Sequence, residues 1–215
     1  MKDKQPFHDL PSFDRYLRKV FSFRARAGQL ADARHDPEIS PTAVFLAMFH
    51  GFAFRLPSLQ QLETELAQPA FQQWIGADRR FGDDVLRYSL CGFHLDGLEQ
   101  MLVDANRRLK RNKAFDAGRC QGHFVAAVVG IEVLSSYSRC CEFCLQRRVT
   151  ETDRDGNKQE RIQYYHRAVG CQIVNSTAHN STVNRSTVQT FLGLEWVRPG
   201  EGEDTAAFRL LARLV

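Results

Sequence analysis

Sulfur and imidazole are the side chains here with the most chemical reach. Cys140, Cys141 and Cys144 stand together in the segment SRCCEFC, and Cys141 with Cys144 forms a C-x-x-C pair. His166 and Cys171 follow beyond Asp155-Gly156-Asn157, a turn signal inside a polar stretch. A hairpin closing at Asp155-Gly156 pairs residues whose numbers sum to about 311. Cys144 then faces Arg167, and Cys141 faces Gly170, beside Cys171. Zinc takes four such nitrogen or sulfur donors in a tetrahedron at about 2.0–2.3 Å, so Cys141, Cys144, His166 and Cys171 form a candidate zinc set. The second half is not a C-x-x-C or H-x-x-x-H knuckle, and core thiols with one hydrogen-bonded histidine explain the same residues without a metal. The pair does not open a helix after a strand in a βαβ unit, which argues against a thioredoxin-like redox role.

No other catalytic set stands out. There is no G-x-x-x-x-G-K phosphate loop and no G-x-S-x-G elbow. His50, His94 and His123 sit among apolar residues and read as structural. A second chemical feature is charge: Arg107, Arg108, Lys110, Arg111, Lys113 and Arg119 cluster against one acid, Asp116. One reading is a solvated helix end, where cations suit the helix dipole. The other is a stripe that contacts phosphates.

The elements that must carry these residues divide near residue 118. Residues 1–118 read as helical. Phe13, Tyr16, Leu17, Val20 and Phe21 recur at helical spacing. Ser40-Pro41 predicts an N-cap with proline at N1. The run from Ala43 to Phe54 is apolar on nearly every side and belongs in the middle of a core. Ser58 and Gln61 suggest a capping box, with Leu59, Leu62 and Leu66 on one face behind it. Gly76 stops a short turn carrying Trp74, and Asp83 or Asp84 caps the next helix. Leu95, Leu98, Met101, Leu102, Ala105 and Leu109 make a last amphipathic stripe, which runs into the basic cluster.

Residues 119–215 change period. His123–Val133 reads as a buried strand, Arg161–Val174 as a second and Phe191–Val197 as a third. Residues 175–190, rich in Ser, Thr and Asn, read as a loop. A helix over 201–215 presents Ala206, Ala207, Leu210, Leu211 and Leu214 on one side.

The chain has 215 residues and a formal charge of +4. Its composition is globular, which excludes wholesale disorder. No run of about 18 apolar residues suggests a membrane span. The polar N-terminus carries no secretory signal, which favours the cytoplasm and reduced thiols or a metal site over a disulfide framework. The net charge permits a nucleic-acid partner without arguing for one.

Several segments together resemble the front half of an insertion-sequence transposase of the DDE kind. They are SLQQLETELAQPAFQQWIG, FGDDVLRYSL, HFVAAVVGIEVLSSYSRCCEFCLQRR, QYYHRAVGCQIV and LEWVRPGEGEDTAAFRLLARL. The likeness spans roughly residues 40–174 and 191–215; residues 175–190 depart from it, as an inserted or frame-damaged stretch would. It implies an α+β protein, with a helical, DNA-binding region at 1–118 and the start of an RNase H-like domain at 119–215 built from about three strands and one helix. Intact members hold two Mg²⁺ ions on three carboxylates. The first belongs on the first strand, in a context like AAxDGIE, and Val129 stands at that position. Glu132 is three residues away, so strand alternation turns it to the opposite face. The second aspartate would follow the helix at 201–215, and the last acid later still. The expectation is therefore a truncated, inactive transposase-like protein without a catalytic residue or a Mg²⁺ site. It retains weak binding to double-stranded DNA through Arg107, Arg108, Lys110, Arg111 and Lys113. The alternatives are a small zinc-stabilised module that binds DNA or protein, and an active nuclease using other acids. A homo-oligomer is open on this reading.

Overall fold

The computed structural model describes residues 10–139, 141–152, 156, 158–174 and 190–214. Among these residues the protein is α+β, with eight α-helices and a four-stranded antiparallel sheet. The chain forms two compact units, Met1–Ala105 and Asn106–Val215. No helix among the described residues is long and apolar enough to cross a membrane.

The first unit contains α1 (Leu10–Phe21), α2 (Phe23–Ala27), α3 (Pro41–Ala53), α4 (Leu59–Leu66), α5 (Pro69–Ile75), α6 (Asp83–Cys91) and most of α7 (Leu95–Arg111). Local signals explain most of their ends. Ser40 Oγ accepts the Ala43 N–H at 3.1 Å ahead of Pro41, satisfying one of the orphan donors of α3. Helix α3 buries Ala43, Val44, Leu46, Ala47, His50 and Gly51, as an all-round apolar helix must. Ser58 Oγ likewise accepts from Gln61 N. The Gln61 amide turns to Glu65 instead, so only half of the expected capping box forms. Leu62 and Leu66 are buried, but Leu59 is largely exposed. Gly76 ends α5 at φ 73°, the left-handed conformation glycine adopts without strain. The N-cap of α6 is Gly82, not an aspartate; Asp83 and Asp84 lie in its first turn, where carboxylates suit the dipole.

Of the three histidines expected among apolar residues, only His50 is there. It is fully buried, and Trp74 Nε1–H donates to its Nε2 at 3.0 Å. The imidazole proton is therefore on Nδ1, which has no hydrogen-bond partner among the described residues. Burial pulls the His50 pKa down to about 4, since the charged form loses its hydration. His94 and His123 are exposed.

The second unit is built on β3 (Lys158–Val174). Strand β1 (Val125–Ser136) runs along one edge of β3 from Val174 to Tyr164. The other edge is shared: β4 (Thr190–Trp196) pairs with Ala168–Ile173, and β2 (Leu145–Thr152) pairs with Lys158–Tyr165. Helix α8 (Glu203–Leu214) lies on one face, where Val169, Cys171, Val197, Ala206 and Leu210 make a small core. Two expectations fail here. Strand β2 was not foreseen, giving four strands rather than three. And β1 is exposed from Val125 to Ser135 rather than buried, because it is an edge strand of a sheet whose helix covers β3 and β4. The expected turn at 155–157 lies outside the described residues apart from Gly156, whose φ is 84°. The Ser/Thr/Asn-rich segment also lies outside them, except Thr190, which begins β4.

Candidate metal centre

Three of the four expected ligands meet at the root of the β2–β3 hairpin. Cys141 Sγ and Cys144 Sγ each lie 3.4 Å from His166 Nε2, and the two sulfurs are 3.9 Å apart. A disulfide would need about 2.05 Å. Around one zinc with ideal tetrahedral angles, two thiolates stand about 3.8 Å apart, and thiolate and imidazole about 3.6 Å. The observed triangle has those dimensions.

Register makes this triangle. Leu145 pairs with Tyr165 and Thr152 with Lys158, so the pairing sum is 310 rather than the expected 311. Continuing it by one residue sets His166, not Arg167, opposite Cys144. A slip of one residue exchanges the faces of a strand, so this difference decides which side chain can reach the sulfur. Cys141 returns to the site through a turn in which Cys144 N–H donates to Cys141 O at 3.4 Å. The Arg139 guanidinium braces that turn, donating to Cys141 O at 3.0 Å and Glu142 O at 3.3 Å. Cys144 is buried and Cys141 exposed. The His166 ring stands edge-on to Trp196, with centroids 6.0 Å apart.

Cys171 does not join them. It is five residues further along β3, about 16 Å at the usual strand rise, and the odd separation turns it to the α8 face. There it is 1% exposed, and burial pushes its thiol pKa up, the reverse of what a metal ligand needs. Cys140 lies outside the described residues.

The basic residues occupy the end of α7. Arg107, Arg108, Lys110, Arg111 and Lys113 are all exposed. The helix stops at Arg111 in a Schellman-type cap. Lys113 N–H bonds to Lys110 O and Ala114 N–H to Leu109 O, both at 3.0 Å, with Lys113 at φ 58° where glycine is usual. Arg107, Lys110 and Arg111 thus share the last helical turns, while Lys113 leaves the helix. Beyond them, Arg119 is paired with Asp116 at 3.0 Å.

Val129 pairs with Gly170, and Glu132 with Arg167, on opposite faces of β1 as alternation requires. Val129 is 55% exposed and offers no oxygen. Glu132 is held by Arg147 through two bonds of 2.8 and 2.9 Å. It is the one acid in β1, and it faces away from Val129. This strand therefore does not fit a Mg²⁺ site of the DDE kind.

Sequence reasoning passed over the ion pairs that tie the α8 side together. Arg209 donates to both oxygens of Glu201 at 2.6 and 2.7 Å. That fork and the Arg198 backbone N–H pull the Glu201 pKa down to about 2. Arg167 pairs with Glu203 at 2.7 Å. No local signal announces such partners. Strand β2, by contrast, had one: its residues alternate between half-buried and exposed from Leu145 to Thr152, visible in LQRRVTET as Leu and Val at every fourth place.

No protein-family model, curated protein or solved structure matches the chain.

Proposed function

We propose that this chain is a transposase-like DNA-binding protein whose sheet unit is held by a structural zinc ion, and which carries out no strand transfer. The observation that carries the zinc is the triangle of Cys141, Cys144 and His166, with its sides of 3.4, 3.4 and 3.9 Å. Three soft donors at tetrahedral spacing, two of them a C-x-x-C pair, suit zinc better than any hard cation. In that role the metal joins the loop before β2 to β3 and contributes directly to folding. The test is elemental analysis of purified protein. About one zinc per chain is expected, lost in Cys144→Ser and His166→Ala and retained in Cys171→Ser. Protein free of zinc, with melting unchanged by chelator, would remove the reading. Cys140→Ser reports whether that residue supplies a fourth donor.

The transposase reading rests on the sequence resemblance. Its support in the fold is the order of elements: a first strand carrying position 129, further antiparallel strands, then α8, which we read as the opening of an RNase H-like domain. Valine at 129 removes the first of the three carboxylates that two-metal chemistry requires. Supercoiled plasmid incubated with the protein and Mg²⁺ or Mn²⁺ is expected to stay intact. Nicking that is lost on mutation of a single acid would overturn this. DNA binding through Arg107, Lys110 and Arg111 is expected to be weak, in the non-specific range of about 10⁻⁴–10⁻⁶ M, and steeply salt-dependent.

A further inference from the structure

The β2–β3 hairpin runs past the rest of the sheet. Strand β1 leaves β3 at Ser136, opposite Tyr164, and from Gln163 to Lys158 strand β3 pairs with β2 alone. The projecting part is a two-stranded ribbon about 20 Å long. Such a ribbon is marginal on its own. This one is rooted at Cys141, Cys144 and His166.

Its two faces differ in charge. On the side shared with α8, the cations are already engaged. Arg147 bonds to Glu132, and Arg161 to Glu151 at 3.3 Å, with the Tyr137 hydroxyl donating to the same carboxylate. On the other side β2 presents Gln146, Arg148, Thr150 and Thr152, all exposed. Across from them on β3 stand Tyr164, Ile162, Glu160 and Lys158. That face carries two cations to one acid.

We propose that this outer face of the ribbon reads duplex DNA in the major groove. The proposal rests on the DNA-binding reading above but uses a surface separate from α7. A major groove about 12 Å wide admits a two-stranded ribbon. Alternate residues of a strand stand about 6.6–6.8 Å apart, and two base pairs rise about 6.8 Å, so Gln146, Arg148 and Thr150 keep step with every second base pair. Their chemistry suits base edges: Arg forks to guanine O6 and N7, Gln to adenine N6 and N7, and Thr meets either a polar edge or the thymine methyl. The Cys/His centre fixes the ribbon at its root and so fixes which groove positions these side chains reach.

The test uses the full chain, loaded with zinc, to select from a pool of random duplexes. Binding to the selected and to a scrambled duplex is then compared by fluorescence anisotropy at one salt concentration. The parent is expected to prefer the selected duplex by at least tenfold. Arg148→Ala, a surface change whose folding is checked by circular dichroism, should reduce that preference about tenfold while leaving scrambled-duplex binding within about twofold. The triple change Arg107→Ala, Lys110→Ala, Arg111→Ala should weaken both duplexes equally. If the parent binds duplex without preference, or Arg148→Ala leaves the preference intact, the ribbon proposal falls and the DNA-binding reading stands. Tighter binding to single-stranded RNA than to any duplex also sinks the ribbon proposal. No binding to any duplex sinks both.

Discussion

The two units are held together by different means. Among the described residues, the helical unit gathers thirteen buried apolar side chains into one cluster, whereas the sheet unit's cluster has five. Burying a large aliphatic side chain contributes about 1.5–3 kcal/mol, so the first unit is stabilised chiefly by its core. The second relies on cross-links between strands. Its ion pairs, Arg209 with Glu201 and Glu195, Arg167 with Glu203 and Arg147 with Glu132, remain partly open to solvent, and solvent-screened pairs are typically each worth only about 0–1 kcal/mol. A small core with solvent-screened pairs is the situation in which small domains use a metal. The cysteine and histidine cluster stands where such a staple has most effect, at the root of a ribbon that β1 no longer supports.

The sharpest way to break this contrast is to disable the proposed zinc site. In Cys144→Ser, or after chelation, amide exchange in β2 and in β3 from Lys158 to His166 is expected to rise to near-unfolded rates, while α3 keeps its protection. Structural zinc in small modules is worth about 10–16 kcal/mol of apparent binding energy, so this effect should exceed any single core change. Uniform loss of protection across both units, or none, would refute the division of labour.

The reverse experiment attacks the helical core. Leu66 is fully buried, and Leu66→Ala should lower stability by about 2–5 kcal/mol with zinc content unchanged, measured by urea titration alongside metal analysis. A loss of zinc in this variant would show that the units are not stabilised separately.

Acid tests the same core through His50. Its pKa falls from 6.5 to about 4 on burial. The unfolded chain therefore binds the proton first, and the histidine's contribution is fully present above pH 6.5. It is lost as pH falls from about 6.5 towards 4, by roughly 3 kcal/mol in all. His50→Gln should flatten this part of the stability profile of the first unit. A parent profile without slope between those values would exclude the neutral buried histidine.

The smallest effect is local. Ser40→Ala removes the cap of α3 and should cost about 1 kcal/mol, read as a modest fall in melting temperature without change in zinc. A cost several times larger would mean that Ser40 does more than cap the helix.

The sequence by itself determined the features whose causes lie within a turn or two of chain. Ser40 and Ser58 cap their helices, Gly76 ends α5, and the unbroken apolar run of α3 seeks the core. Strand alternation alone separates Val129 from Glu132. The C-x-x-C pair, three residues apart, was legible for the same reason. Tertiary structure decided what depends on pairing at a distance. A hairpin sum of 310 in place of 311 chose His166 over Arg167 as the neighbour of Cys144, and strand length put Cys171 in the core beneath α8. The edge position of β1 left exposed a strand whose composition reads as buried. Caps and periodicity act between neighbours along the chain, whereas register and burial are settled only when strands distant in sequence align, and one residue of slip then exchanges every side chain between the two faces.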